Sequence, residues 1–209
     1  MEKAAVTTLP DNTIERFFKY RRLLLKYLYL EQPHIFSHDL ARVLNISPVL
    51  VRRDLMLIGC HGNNRKGYPV NELIEVINSR LSAESKKNAV LIGIDGLGAA
   101  ATEYFLSEES SLSIVATFDY IPKKENNAFT DIPCYGIMQL GEIIKTHDVS
   151  IAVLAVSTED IESVVRILID SGIKGILNFT PYKLDLPKDI YLEEFDPVSK
   201  LEKVSYFVR

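Results

Sequence analysis

Three glycines and one carboxylate carry the most pointed chemistry in this chain. Gly93, Gly96 and Gly98 follow the apolar run NAVLI, and Asp119 closes a second run, SIVATFD, 21 residues beyond Gly98. A phosphate is held best by backbone N–H groups in a tight turn at a helix N-terminus, and a ribose by an acid that accepts from its hydroxyls. A strand, a G-x-G-x-x-G turn, a helix and an acid about 20 residues on supply both. The turn here is Gly93-Ile94-Asp95-Gly96-Leu97-Gly98, so Asp95 replaces the middle glycine. Its carboxylate adds bulk and, when ionised, repels phosphate, while Gly96 restores part of the clearance if the turn shifts by one residue. Ser157 and Thr158 end a later strand, where ligands settle in open parallel sheets; either could equally cap the next helix. Asn178-Phe179-Thr180-Pro181 ends another strand, and either closes over a nicotinamide or is simply a turn.

A second set of residues belongs to a different chemistry. Residues 37–58, SHDLARVLNISPVLVRRDLMLI, read as two helices with a break at Asn45-Ile46. Ser37 is placed to cap the first, which carries Leu40, Ala41 and Leu44 at helical spacing. Ser47 followed by Pro48 starts the second, with proline at the first helical position, where its missing N–H costs nothing. Val51, Leu55 and Ile58 form an inward face, and Arg52 and Arg53 project away from it. Such a helix can enter a DNA major groove and offer cationic forks to base edges and phosphates. The turn-rich segment Gly59–Pro69 follows directly and reads as the hairpin wing of a winged-helix domain. Arg65 and Lys66 in it are suited to the backbone or a narrow minor groove.

Other elements position these two sets. Ile14, Phe17, Phe18, Leu24, Leu25 and Leu28 mark a long first helix after Pro10, which completes a three-helix core. Asn71–Ile77 starts another amphipathic helix, and Ser82–Lys87 reads as a linker. From Asn88 strands and helices alternate: helices to about Leu106, at Met138–Thr146 and at Thr158–Ser171, and strands SIAVLAVS and GILNF. That rhythm predicts a parallel sheet with right-handed crossovers. The fold class is therefore α/β, a winged-helix domain over 1–84 and a Rossmann-like domain over 85–195. Asp196-Pro197 then opens a final amphipathic helix with Val198, Leu201, Val204 and Val208 on one face.

Charge follows the same division. Residues 1–84 carry a net +3 and residues 85–209 a net −7, which fits a DNA-reading head on an acidic body. Cys60 and Cys134 form no CxxC pair, and the four histidines form no metal-spaced cluster, so no metal is expected. There is no run of membrane-span length, and Met1–Pro10 lacks the apolar core of a secretory signal, so a cytoplasmic protein is expected.

PDNTIERFFKYRRLL, VRRDLMLIG, GYPVNEL, the strand-G-x-x-G-L-G-helix unit, Phe118-Asp119 and SGIKGILNFTP resemble, in order and over almost the whole chain, the Rex family of bacterial redox-sensing repressors. The resemblance implies a homodimer that binds a palindromic operator through paired winged helices. It implies that NADH binding to the rear domain releases DNA, while NAD⁺ competes and leaves the DNA-binding form in place. It also implies that the C-terminal helix, 196–209, is exchanged between subunits. Arg16, Tyr104 and Asp196 match the family's polar switch residues, Asp119 its ribose-binding acid, and Arg52 and Arg53 its recognition-helix cations. The chain departs from the family at Asp95 (glycine), Gly96 (asparagine), Ser157 (proline) and Pro197 (an aromatic residue that reaches the partner's nicotinamide pocket). Arg65-Lys66 is displaced toward the wing tip, and Tyr120-Ile121-Pro122 replaces an acidic segment.

The function expected is thus a DNA-binding repressor responding to the NADH/NAD⁺ balance. The alternative is a diverged paralogue that binds DNA but has lost NADH sensing. An oxidoreductase is disfavoured, since neither a substrate domain nor an acid/base pair such as Tyr-x-x-x-Lys follows the Rossmann unit. The nucleotide contacts expected are Gly93, Asp95, Gly96, Leu97, Gly98, Asp119, Ser157, Thr158 and Asn178. Those expected for DNA are Ser47, Arg52, Arg53, Arg65 and Lys66.

Overall fold

The structure, a computed structural model, describes residues 9–63, 65–81, 86–94, 98, 100, 112–121, 132–156 and 161–208. The chain forms two compact units, Met1–Ser85 and Lys86–Arg209.

The first unit opens with α1 (Asp11–Tyr29), followed by β1 (His34–Ile35), α2 (Ser37–Leu44), α3 (Pro48–Leu57), β2 (Tyr68–Pro69) and α4 (Val70–Arg80). Its core is Phe17, Tyr20, Leu24, Leu40, Val51, Leu55, Leu73 and Ile77, each at most 1% exposed, drawn from all four helices. The inward face of α1 differs from the expected stripe. Thr13, Phe17, Tyr20 and Leu24 are buried, whereas Phe18 is 44% and Leu28 43% exposed. Positions 17, 20 and 24 fall on one helical face, and Phe18 lies about 100° round from Phe17. A residue's hydrophobicity did not decide which face turned inward. β1 and β2 pair antiparallel, Ile35 opposite Tyr68, and Asn63 bridges Gly67. Within the turn-rich segment the Asn63–Gly67 bridge closes a tight hairpin turn, while β2 pairs with β1, which lies before α2.

The second unit holds β3 (Lys87–Ile92), β4 (Leu112–Asp119), β5 (Cys134–Gly136), α5 (Leu140–Thr146), β6 (Val149–Leu154), α6 (Ile161–Asp170), β7 (Gly175–Asn178), β8 (Tyr191–Glu194) and α7 (Pro197–Phe207). The six strands are parallel in the order β5-β4-β3-β6-β7-β8. Numbered from β3, that is 3-2-1-4-5-6, the order of a doubly wound dinucleotide fold, with its switch point between β3 and β6. Val90, Ile92, Phe118, Ala152 and Leu154 pack on one face against Leu140, Ile144, Val164 and Leu168 of α5 and α6. Leu91 and Val153 point to the other face. Two strands, β5 and β8, were not among those expected; at three and four residues they carry little periodicity.

Candidate functional site

The candidate DNA-facing surface is centred on α3. The Ser47 hydroxyl accepts from Leu50 N at 3.1 Å, and Pro48 occupies the first turn, so the helix begins where the sequence places it. α3 buries Val51, Asp54 and Leu55 and exposes Val49, Arg52, Arg53 and Met56. Those four sit at i, i+3, i+4 and i+7, one continuous stripe. Arg52 Nη1 donates to Ser37 Oγ at 3.2 Å, which aims this guanidinium across the start of α2. Ser37 is therefore not the cap of α2. Phe36 precedes the helix in an extended conformation, Ser37 is its first residue, and the backbone N–H of Phe36 donates to Asp39 Oδ2 at 3.4 Å. Asn45, with φ of 52°, ends α2 in the left-handed conformation that asparagine tolerates. In the wing, Asn63 Oδ1 accepts from the backbone N–H groups of Arg65 (2.8 Å) and Lys66 (3.2 Å). This local turn leaves both exposed cations at the hairpin tip.

Beneath α3 lies a feature that the sequence reading missed. Asp54 is 1% exposed, and its carboxylate accepts from Arg16 Nε at 2.6 Å, Arg16 Nη2 at 2.7 Å and the Tyr20 hydroxyl at 2.7 Å. Arg16 Nη2 also donates to Thr13 Oγ1 at 2.9 Å. The hydrogen bond to Asp54 holds the Arg16 guanidinium still more firmly protonated than usual. Burial, reinforced by the hydrogen bond to Asp54, pushes the Tyr20 phenol well above its ordinary range. An aspartate beside two arginines reads as part of a solvated face; only the helical phase, opposite Arg52, could have shown it inside.

In the second unit the C-terminal ends of the central strands stand side by side. Gly93 N donates to Phe118 O, Ala155 N to Ile92 O and Phe179 N to Leu154 O, each at 2.8 Å, so the ladder runs one residue past each strand. Gly93 has a φ of +90°, and a Cβ there would sit 2.7 Å from Ala155 C and Val156 N. A Cβ on Gly98 would collide with the Gly93 carbonyl oxygen. Only glycine permits that approach of helix start to strand end, the packing role of the last glycine in the fingerprint. Asp119, half-buried, is the final residue of β4 beside this turn, as a ribose-binding acid must be. Gly93, Gly98 and Asp119 thus fit an adenine dinucleotide. Asp95, Gly96, Leu97, Tyr104, Ser157 and Thr158 lie outside the described residues.

Asn178, at the end of β7, is 2% exposed, and both ends of its amide are engaged. Nδ2 donates to Tyr182 O at 2.9 Å; Oδ1 accepts from Thr180 N at 3.0 Å and Thr180 Oγ1 at 2.7 Å. Its amide shapes the 179–182 loop, the turn reading of this segment. Phe179 of that loop packs against Phe195, the rings tilted by 49° with centroids 4.9 Å apart. Asp196 caps α7, its Oδ1 accepting from Val198 N (2.9 Å) and Ser199 N (3.2 Å) and its Oδ2 from the Ser199 hydroxyl. The bonds from Ser199 hold its carboxyl below the usual carboxylate range. No residue of α7 is buried, and Val198, Leu201, Val204 and Phe207 are all more than half exposed. Among the described residues no cluster of His, Cys, Asp or Glu could hold a metal ion, and no helix is long and apolar enough to cross a membrane.

A winged helix joined to a 3-2-1-4-5-6 sheet with a glycine-closed switch point defines a class: DNA-binding regulators that carry a nucleotide-binding domain. Residues 84–182 match the family model described as CoA binding domain, and residues 8–55 that described as putative DNA-binding protein N-terminus. The chain is 31% identical over 203 residues to the redox-sensing transcriptional repressor Rex of Listeria monocytogenes, covering 97% of this chain and 94% of that one. It is 33% identical over 203 residues to Rex of Streptococcus pneumoniae, covering 96% and 95%. Among solved structures, RSP, a Rex-family repressor, superposes with a TM-score of 0.80 at 27% identity, over 96% of this chain and 94% of that one. RSP in complex with β-NAD⁺ and operator DNA gives 0.82, also at 27% identity, over 96% and 92%. The chain belongs to the Rex family.

Proposed function

We propose that this chain is a cytoplasmic, homodimeric transcriptional repressor that binds a palindromic operator and is released from it by NADH. The observation that carries this reading is the pairing, in one chain, of the Val49–Arg52–Arg53–Met56 stripe with the Gly93/Gly98 turn beside Asp119. RSP, its structural relative, has been solved with β-NADH and with β-NAD⁺ and operator DNA.

In this reading Ser47 fixes the start of α3, Arg53 meets base edges, and Arg52, steered by Ser37, meets bases or phosphate. Arg65 and Lys66 reach the backbone or minor groove from the wing. The nucleotide is a signal and undergoes no chemistry. Gly93, Gly98 and, around them, Asp95, Gly96 and Leu97 hold its phosphates, while Asp119 holds the adenosine ribose. Ser157 and Thr158 contact the nucleotide, and Asn178 keeps the 179–182 loop in shape. Arg16, Tyr104 and Asp196 couple nucleotide state to dimer geometry, and α7, exposed along its apolar face, is exchanged with the second subunit. Release follows if NADH favours a dimer whose recognition helices no longer match successive major grooves, about 34 Å apart. A ligand moves that balance only by its differential affinity for the two dimer shapes.

Fluorescence anisotropy on a labelled operator duplex tests this. NADH is expected to lower operator affinity at concentrations where NAD⁺ does not, and Arg53→Ala to weaken binding by about 1–3 kcal/mol. Asp95 and Pro197 favour a second reading, a repressor that has lost NADH sensing. Equal operator affinity with and without NADH, combined with new nucleotide binding in Asp95→Gly, would establish it. Steady consumption of NADH with any substrate would overturn both.

A further inference from the structure

We infer that Asp54 is a positioning residue for operator recognition: from inside the first unit it sets the pitch of α3, through Arg16 and Tyr20 of α1, so that the Val49–Arg52–Arg53–Met56 stripe meets the groove in register. The inference rests on the repressor reading and adds to it a residue that touches no DNA.

Asp54 lies on the side of α3 opposite Arg52, two residues along the helix. Its carboxylate is 1% exposed and accepts three strong hydrogen bonds, all from α1: two from one edge of the Arg16 guanidinium and one from Tyr20. Thr13, 5% exposed, accepts from the second N–H of Nη2, so Arg16 is fixed on α1 as well as on α3. A planar fork closed on a carboxylate fixes both distance and angle, whereas apolar side chains in contact fix distance with more freedom of rotation. Stability does not call for this arrangement. A buried ion pair is often no more stabilising than apolar residues of the same volume, and its best-attested use is to enforce one register among several. The rest of the interface between α3 and its neighbours supplies the burial, through Val51 and Leu55, both 0% exposed. What the clamp adds is angular definition, in the one helix whose angle decides which side chains reach base edges. A rotation of α3 by a fraction of a turn would leave phosphate contacts available to the same cations, while moving Arg53 and Val49 off their bases. The two components of DNA affinity are therefore expected to separate.

The experiment uses the full-length chain and two duplexes: the sequence that the wild-type protein enriches from a randomised pool, and a scrambled duplex of equal length. Asp54→Asn keeps shape and removes the charge that closes the fork. With folding checked by circular dichroism, it is expected to lower operator affinity at least tenfold and scrambled-duplex affinity by less than twofold, with the salt dependence of scrambled binding unchanged. Loss of folded protein would lower both affinities by the same factor. Should Asp54→Asn fail to fold, Tyr20→Phe, which opens one of the three bonds to the carboxylate and leaves Arg16 in place, decides by the same ratio. An operator-to-scrambled ratio equal to that of the wild type in the folded variant overturns the inference. If the wild-type chain enriches no sequence at all, the repressor reading falls, and this inference falls with it. A wild-type chain that prefers its operator beside an unchanged variant removes the inference alone.

Discussion

α3 and α7 begin alike and end in opposite circumstances. Each opens with a polar cap followed by proline, Ser47-Pro48 and Asp196-Pro197, and in each the cap side chain accepts from backbone N–H groups of the first turn. α3 then buries Val51, Asp54 and Leu55, whereas α7 buries nothing and exposes Val198, Leu201 and Val204. A cap determines where a helix starts, but most helical stability in water comes from packing an apolar face. α3 finds its packing in its own unit. α7 has an apolar face as regular and, among the described residues, no surface that covers it, and we read that as the mark of a second copy.

The comparison can be broken first at the base of α3. Arg16→Ala strands the Asp54 carboxylate in the core, and is expected to cost about 3 kcal/mol, the lower end of the range for breaking a buried pair because Arg16 is partly exposed. Urea unfolding followed by circular dichroism reads it, and a loss under 1 kcal/mol would mean that water reaches the carboxylate. Leu201→Asp should do the reverse on α7: little change in the secondary structure of the chain, but weaker self-association by about 2 kcal/mol for the side chain no longer buried. Sedimentation over a dilution series checks this, and unchanged association would leave α7 without its proposed partner. Smaller still, Ser47→Ala removes one accepted hydrogen bond at the start of α3 and should lower stability by about 1 kcal/mol.

The subtlest test concerns pH. The Tyr20 phenol is raised above its ordinary value of 10.0 in the folded chain. The contribution of the neutral phenol, raised by burial and by its bond to Asp54, is therefore complete below pH 10 and declines above it, because the unfolded phenol ionises first. Tyr20→Phe should be less stable than the wild type by about 1 kcal/mol at neutral pH, and that gap should narrow between pH 10 and 11. A gap constant over that span would show that burial and the bond to Asp54 do not raise the phenol.

What the sequence disclosed and what it concealed divide along physical lines. Ser47-Pro48, the wing and the Gly93/Gly98 turn were legible because each depends on residue types with few alternatives: a capping hydroxyl, a proline, a backbone that no Cβ can enter. The burial of Asp54 was not, because a charged residue in an amphipathic helix is assigned by type rather than by phase. For the same reason Phe18 stood for an inward residue where Tyr20, polar at its tip, was the one inside. Ser37 was placed one position early, since its hydroxyl serves Arg52 across helices and not its own first turn. At Asn178 the amide also holds the loop that follows, through Tyr182 and Thr180, a use that a strand-end asparagine does not announce in the sequence.

If α7 is shared between two copies, the exchange also has a genetic consequence. The surface that chooses a partner is then separate from the surface that reads DNA, so a chain with a ruined α3 and an intact α7 still pairs with healthy copies. In a cell making both, most dimers would carry at least one damaged reading head, and the operator would be left unguarded. Lesions in α3 should thus behave as dominant alleles, while lesions in α7 should be recessive.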